Sequence, residues 1–192
     1  MKTAVFFGSP RRGGNTELLV NEALKGAQEL GARVEFFNLN TMRIKGCQEC
    51  GDCTETGVCA IRDDMQEIFS AIRECERFIL ASPVFFHNVS AQAKAMIDRC
   101  QAIWCEKYLR KKKIPEGPYG RRGLFIAVGG MKNEDGLKCA SFTAKSFFRT
   151  ISVPVHRDLG FMGVDAKGEI LQRPGALRAA YEAGLELLKK ED

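Results

Sequence analysis

The sequence predicts an α/β fold, a flavodoxin-like three-layer sandwich built on a five-stranded parallel sheet of order 2-1-3-4-5. Two observations predict it. Short apolar runs rich in β-branched and aromatic residues alternate with longer stretches of helical periodicity. Such alternation calls for right-handed crossovers, which lay a parallel sheet between two helical layers. A length of 192 residues fits one domain, 1-192, with a full core.

Lys2 to Phe7 reads as the first strand. Glu17 to Leu30 reads as a helix with Leu19, Ala23, Ala27 and Leu30 on one face. Val34 to Asn38 is the second strand. A helix starts at Asp63, where Met65, Ile68, Ile72 and Cys75 recur at helical spacing. Arg77 to Ala81 is the third strand. Ser90 caps a helix carrying Ala93, Met96, Ile97, Cys100 and Trp104. Leu124 to Val128 is the fourth strand, and Leu137 to Ile151 is a helix with Phe147 and Phe148 inward. Val153 to Leu159 is a weaker fifth strand, and Pro174 opens the last helix. Two segments interrupt the alternation: a cysteine-rich insertion after strand two, and the basic stretch "KYLRKKKIPEGPYGRRG", 107 to 123.

The hydrophobic fraction of 45% and charged fraction of 28% are those of a soluble globular chain. No apolar run approaches the roughly 20 residues of a membrane span. At the N-terminus only Ala4 to Phe7 are continuously apolar, short of a signal-peptide core of about 7–15 residues. The expected location is therefore cytoplasmic, where thiols stay reduced and clustered cysteines point to metal or redox chemistry. A net charge of +5 favours anionic partners but is too small to argue for nucleic acid.

Strand one runs into "GSPRRGGNT", 8 to 16, and then a helix. Ligands of open α/β sheets sit beyond the carboxyl ends of the strands. A helix N-terminus there offers unpaired N–H groups and a positive dipole end to a phosphate. Ser9, Asn15 and Thr16 add donors, Arg11 and Arg12 add charge, and Gly13 and Gly14 allow close backbone approach. The loop is neither a Walker A loop nor a GxGxxG fingerprint. A plain turn with Asn15 as helix cap explains less of it than a phosphate cradle does.

Strand three ends in "SPVFFHNVSAQ". Pro83 is expected to stop the sheet ladder, leaving Val84, Phe85 and Phe86 in a loop beside the switch point. Such a loop can line a flat heteroaromatic ring; burial of both phenylalanines under the next helix is the competing expectation. Gly129 and Gly130, after strand four, would let backbone pass the same ligand, although glycines often merely turn a chain. A phosphate site next to a flat-ring site describes a mononucleotide, and FMN suits this fold best. His87 lies next to the expected ring, but a lone loop histidine is more often a bystander than a catalyst, and no side chain stands out as a general acid or base.

Cys47, Cys50, Cys53 and Cys59 form the spacing Cx2Cx2Cx5C within an expected metal loop, 43-62. Structural zinc usually takes two separated CxxC knuckles. Here the middle cysteine would belong to two knuckles, and the run is closer to the ferredoxin pattern Cx2Cx2Cx3C. A [4Fe–4S] cluster is favoured over zinc, and both over a thiol-only role. Arg43, Lys45 and Arg62 flank the run and would offset thiolate charge. Cys75 and Cys100 are expected as small core residues, and Cys105 and Cys139 as outside the site.

"GSPRRGGNT", the cysteine run followed by "DDM" at 63 to 65, and "SPVFFHNVSAQAKAMIDR" at 82 to 99 together resemble the iron–sulfur flavoprotein family, within the NADPH-dependent FMN reductase group of flavodoxin-like proteins. The resemblance implies FMN held at its phosphate by Ser9, Arg11, Asn15 and Thr16, and at its ring by Pro83 to Phe86. It implies a [4Fe–4S] cluster on the four cysteines, and a homo-oligomer, dimer or tetramer, in which one subunit's cluster approaches another's flavin. It departs at Phe85, where relatives often carry tyrosine. The expected activity passes electrons between the cluster, FMN and a small acceptor or ferredoxin-type partner. The alternative is an NAD(P)H-dependent FMN or quinone reductase whose cysteines hold structural zinc or nothing. The basic residues Arg110 to Lys113 would dock an acidic ferredoxin or, more simply, form a solvated loop or subunit contact.

Overall fold

A computed structural model describes residues 1–189. Strands β1 (Lys2–Phe7), β2 (Arg33–Asn38), β3 (Arg77–Pro83), β4 (Arg122–Gly129) and β5 (Val155–Met162) form one parallel sheet in the order β2-β1-β3-β4-β5. The helices are α1 (Asn15–Glu29), α2 (Asp52–Thr56), α3 (Met65–Glu74), α4 (Ala91–Arg99), α5 (Gln101–Trp104), α6 (Asp135–Thr150) and α7 (Ala176–Leu187). A π-helical turn spans Cys105–Leu109 and a 3₁₀ turn Glu169–Gln172. Among the described residues no helix is long and apolar enough to cross a membrane.

The central strands are apolar along their length because both faces are covered. Alternate residues serve opposite faces. Ala4, Phe6, Phe78, Leu80, Phe125 and Ala127 pack with α3, α4 and α6. Val5, Phe7, Ile79, Ala81, Leu124 and Ile126 pack with α1 and α7. Phe147 and Phe148 point inward as expected, and Cys75 and Cys100 are buried core residues.

Three element expectations need correction, and strand β3 is longer than expected. The helix after Ser90 does not run unbroken to Trp104: at Cys100 the amide bonds back three residues, to Ile97, and the chain restarts as α5 and then the π turn. Pro174 does not open α7. Gly175 precedes that helix at φ 75°, a left-handed turn that keeps Pro174 outside the helical path. Pro83 is the last residue of β3, as expected, but the strand runs two residues past Ala81: Pro83 pairs in register with Val128, and the Val84 amide still donates to Val128 O at 2.7 Å. The basic stretch 107 to 123 is not all loop, because its first residues belong to the π turn and Arg121 is buried.

Helices α1 and α7 cross at two glycines. A Cβ on Gly184 would stand 1.9 Å from the Ala23 carbonyl oxygen, and one on Gly26 would stand 2.2 Å from that of Tyr181. Alanine is the better helix former by about 1 kcal/mol. Here that gain is outweighed, because the clash is with backbone and no side-chain rotation relieves it. Gly184→Ala is expected to lower stability by about 1–3 kcal/mol through overpacking, measured as a reduced urea midpoint; an unchanged or raised midpoint would contradict this close crossing.

Candidate functional site: a groove over the strand ends and a cysteine cavity

β1 and β3 part company at their carboxyl ends. The Gly8 amide still donates to Ala81 O at 2.8 Å. The next residues leave the sheet as the loop to α1. The Ser90 hydroxyl donates to Gly8 O at 2.7 Å and accepts from the Ala93 amide at 3.3 Å, so it both caps α4 and ties it to this loop. The Ser90 amide donates to the Ser82 hydroxyl at 2.8 Å.

Between the two strand ends lies a cavity of about 140 Å³. Ser9, Arg11, Gly14, Asn15 and Thr16 line one side of it, and Pro83, Val84 and Phe85 the other. Gly14 is the N-cap of α1, and no side chain caps the helix. The first-turn amides therefore face the cavity with the positive end of the helix dipole behind them. The donor chemistry fits an anion such as a phosphate.

Three details differ from expectation. Asn15, expected as a phosphate donor, is the first helical residue rather than the cap of the competing reading. Its side chain is engaged, donating to Ala166 O at 2.9 Å and accepting from the Ile170 amide at 3.2 Å. Arg11 donates to Asp165 O at 2.6 Å and lies 3.9 Å from the Asp165 carboxylate. Arg12 is exposed and lines no cavity at this groove. The loop after β5 thus closes the groove, a role sequence reasoning missed. Its glycine-containing run at the carboxyl end of a strand was the available signal.

A second cavity of about 460 Å³ continues from the first, sharing Val84, Phe85, Gly130 and Asp165. Phe86, His87 and Gly129 extend its lining. Phe85 and Asn88 exchange both backbone hydrogen bonds, at 2.8 and 2.9 Å, making a two-residue hairpin. Its corner residues, Phe86 and His87, have φ of 46° and 61°. Such left-handed residues normally favour Gly or Asn, so the turn holds backbone strain of about 1–3 kcal/mol per residue. The result pushes Phe86 fully into solvent and leaves Phe85 46% exposed. Neither ring is buried under α4. Gly129 and Gly130 make room chiefly for the protein itself: a Cβ would meet the Met162 side chain at 2.7 Å and Asp165 at 3.1 Å, respectively.

The cysteine insertion packs against the far end of α4. All four of Cys47, Cys50, Cys53 and Cys59 line one cavity of about 480 Å³, together with Arg99. Cys47 and Cys50 are exposed, and Cys53 and Cys59 half-buried. The donor set matches an iron–sulfur or zinc site in kind and number. Among the described residues, however, no three His, Cys, Asp or Glu side chains converge closely enough to hold a single metal ion.

Both legs of the insertion are pinned by the acidic pair that follows it. Asp63 accepts from the Lys45 amide at 2.9 Å and the Met65 amide at 3.1 Å, and Asp64 from the Arg43 amide at 2.7 Å. Arg99, whose side chain is fully buried, donates to Asp63 at 2.8 Å, to Lys45 O at 2.8 Å and to Ile61 O at 3.1 Å. It also donates to Cys59 Sγ at 3.2 Å. The cation that meets a sulfur is therefore Arg99, not the expected Arg43, Lys45 or Arg62. No periodicity singles out Arg99, which closes an otherwise ordinary amphipathic helix. A further thiol also arrives unannounced: Cys105 Sγ lies 3.8 Å from Cys53 Sγ. Burial foremost, and then Cys105, push the Cys53 thiol up to about 11, so at neutral pH a bound metal must displace its proton.

The sheet order and the groove at its switch point define the flavodoxin-like class. Residues 1–159 match the NADPH-dependent FMN reductase family. An iron-sulfur flavoprotein of Methanocaldococcus jannaschii is 40% identical over 133 residues, which is 69% of this chain and 64% of that one. One from Archaeoglobus fulgidus is 38% identical over 123 residues, 64% of this chain and 59% of its own length. A second M. jannaschii iron-sulfur flavoprotein is 36% identical over 149 residues, 77% of this chain and 71% of that one. The match thus spans less than two thirds of the first two relatives. An NAD(P)H:quinone oxidoreductase from Methanothermobacter marburgensis shares the fold with a TM-score of 0.73, at 18% identity, covering 100% of this chain and 99% of that one. The chain belongs to the iron–sulfur flavoprotein family, within the NADPH-dependent FMN reductases.

The buried Asp63–Arg99 pair carries a pH signature. Burial alone would raise the Asp63 carboxyl, but the Arg99 guanidinium and the Lys45 and Met65 amides hold it below the ordinary 3.8. A lowered carboxyl contributes stability in full above its unfolded value and loses it as pH falls through its folded value. Wild-type protein is expected to lose this contribution below about pH 4. Asp63→Asn should cost about 3 kcal/mol at neutral pH by leaving Arg99 without its charge partner, and should flatten the acid slope. Urea unfolding of both proteins across the acid range checks it; parallel pH profiles would contradict the assignment.

Proposed function

We propose that this chain is an FMN-dependent oxidoreductase in which a [4Fe–4S] cluster on Cys47, Cys50, Cys53 and Cys59 exchanges electrons with FMN, which serves a small acceptor or a ferredoxin-type partner. The observation that carries the reading is the continuous groove over the ends of β1, β3 and β4. It joins an uncapped helix N-terminus to an apolar hairpin, as a phosphorylated flat ring requires.

FMN, when bound, exchanges one or two electrons, and a [4Fe–4S] cluster exchanges one. The chain's own part is to bind and orient. Ser9, Thr16 and the first-turn amides of α1 would hold the phosphate. The Arg11 guanidinium would add charge from the rim, where Asp165 tempers it. Val84 and Phe85 would bound the ring, and Phe86, exposed at the hairpin corner, would cover it or guide the acceptor. The strained corner at Phe86 and His87 keeps that hairpin away from the core, which favours a binding role over a packing role.

The lack of single-ion convergence bears on the metal. Zinc–sulfur bonds of about 2.3 Å need sulfurs in close contact. A cubane interposes its own core and spaces its cysteines more widely. Four cysteines around a cavity of about 480 Å³ suit the cluster better than the ion. Groove and cysteine cavity flank opposite ends of α4, whose nine residues span roughly 13 Å. Trp104, Tyr108, Leu109 and Val58 are exposed near the cavity, and we assign them to a homo-oligomer contact that would bring a second copy's flavin closer.

The test is composition and affinity. Anaerobically prepared protein is expected to contain flavin, iron and acid-labile sulfide. Zinc without sulfide would leave an NAD(P)H-dependent reductase, and failure to take up FMN would overturn both readings. Ser9→Ala is expected to weaken FMN binding roughly tenfold, through the loss of about 1.5 kcal/mol of hydrogen bonding to a charged group. Flavin fluorescence titration of flavin-free protein measures it.

A further inference from the structure

We propose that Cys105 is the disulfide partner of Cys53 whenever the cysteine cavity carries no cluster, and that this bond closes the cavity to cluster assembly. The second half rests on the cluster reading above. The first half does not, and stands on the placement of two sulfurs.

Cys105 lies outside the Cx2Cx2Cx5C run, 52 residues beyond Cys53, yet the two sulfurs are 3.8 Å apart. The pair is asymmetric. Cys53 is half-buried and borders the cavity, whereas Cys105 is 1% exposed and sits behind it. Each sulfur is carried by a short helical piece, Cys53 by α2 and Cys105 by the first position of the π turn. These pieces are docked independently of the sulfurs. The Arg110 guanidinium donates to the Glu55 carbonyl. Gly57 closes on the same turn, where a Cβ would meet Arg110 Cδ at 3.0 Å and Glu106 Cβ at 3.3 Å. Glu106 is in turn bonded to Arg73 on α3 at 2.6 Å. The closeness therefore reflects how α2 seats on the π turn. A disulfide needs the sulfurs at about 2.05 Å, an approach within reach of side-chain torsion at both residues.

With a cluster bound, the Cys53 sulfur is an iron ligand and Cys105 has no partner for exchange. Without one, a small-molecule disulfide such as oxidised glutathione can react. Cys53, which borders the cavity, gives up its proton, takes one glutathione sulfur and releases the other as a thiol. Cys105 then loses its proton and attacks the Cys53 sulfur, releasing the second glutathione thiol. The protein pair is oxidised by two electrons, the glutathione disulfide is reduced to two thiols, and the two protons end on those thiols. Intramolecular proximity favours this pair over others at equilibrium. The bond removes one of four donors from the cavity and clamps α2 to the π turn.

The experiment uses the full-length protein, stripped of metal by chelation and equilibrated anaerobically in a glutathione redox buffer. Mass spectrometry of peptides is expected to show a Cys53–Cys105 crosslink as the main product, with the loss of two hydrogens. Cys105→Ser should abolish that crosslink, and circular dichroism verifies that the variant is folded. A dominant crosslink among Cys47, Cys50, Cys53 and Cys59, or equal thiol loss in wild type and Cys105→Ser, would overturn the pairing. Iron and sulfide are then supplied under conditions that do not reduce the disulfide. Oxidised wild type is expected to lose incorporation and recover it after dithiothreitol, while Cys105→Ser, taken from a buffer with reduced glutathione in excess so that mass spectrometry shows no Cys53–glutathione adduct, incorporates throughout. Incorporation by oxidised wild type would overturn the closure. If reduced wild type itself incorporates neither iron nor sulfide, the cluster reading fails, and the closure of cluster assembly fails with it, while the crosslink result still decides the pairing.

Discussion

Strands β1 and β3 lie side by side, but the helices that follow them go to opposite faces of the sheet, α1 with α7 on one side and α4 with α3 and α6 on the other. That divergence constrains everything built at this end of the molecule. Two loops leaving adjacent strands in opposite directions cannot fill the space between them. The Gly8–Ala81 and Ser90–Gly8 hydrogen bonds hold the edges of the gap. The groove exists because the topology cannot close it. The chain answers with an uncapped helix on one bank and a strained hairpin on the other.

Buried guanidinium groups are the second device. Arg77, Arg99 and Arg121 are each almost wholly inaccessible. Burying a charge is costly unless hydrogen bonds and partners offset it. Arg99 has a carboxylate, and it uses the rest of its fork to hold the insertion. Arg121 instead donates to the Ile72 and Ile151 carbonyls and stacks on Phe78 at 5.1 Å. Burial pulls its guanidinium down to about 10, which still leaves it charged at neutral pH. Arg99 thus organises the cysteine insertion, and Arg121 ties the ends of α3 and α6 to the sheet.

The cysteine insertion shows how a site can be legible in kind and illegible in arrangement. Four cysteines in thirteen positions raise the expectation of soft-metal chemistry from spacing alone. Their surroundings are set by residues far away in the chain. Arg99 comes from the end of α4, and Cys105 from a π turn that no propensity distinguishes from an ordinary helix continuing past Trp104. The same holds in the groove, where Asn15 was expected as a phosphate donor and its side chain instead anchors a loop more than 150 residues away.

By itself the sequence determined the layers of this protein: the alternation of strands and helices, the parallel order, the donor-rich loop after strand one and the cysteine set. Each of these is written in local periodicity, in glycine placement or in short spacing, and local signals survive without knowledge of the fold. Only the tertiary structure decided which carboxylate meets Arg11, which cation meets Cys59, which way Phe86 points and which thiol stands behind Cys53. Those pairings join segments that are distant in sequence. They depend on where a sheet's crossovers happen to land, and no residue pattern along the chain encodes that distance.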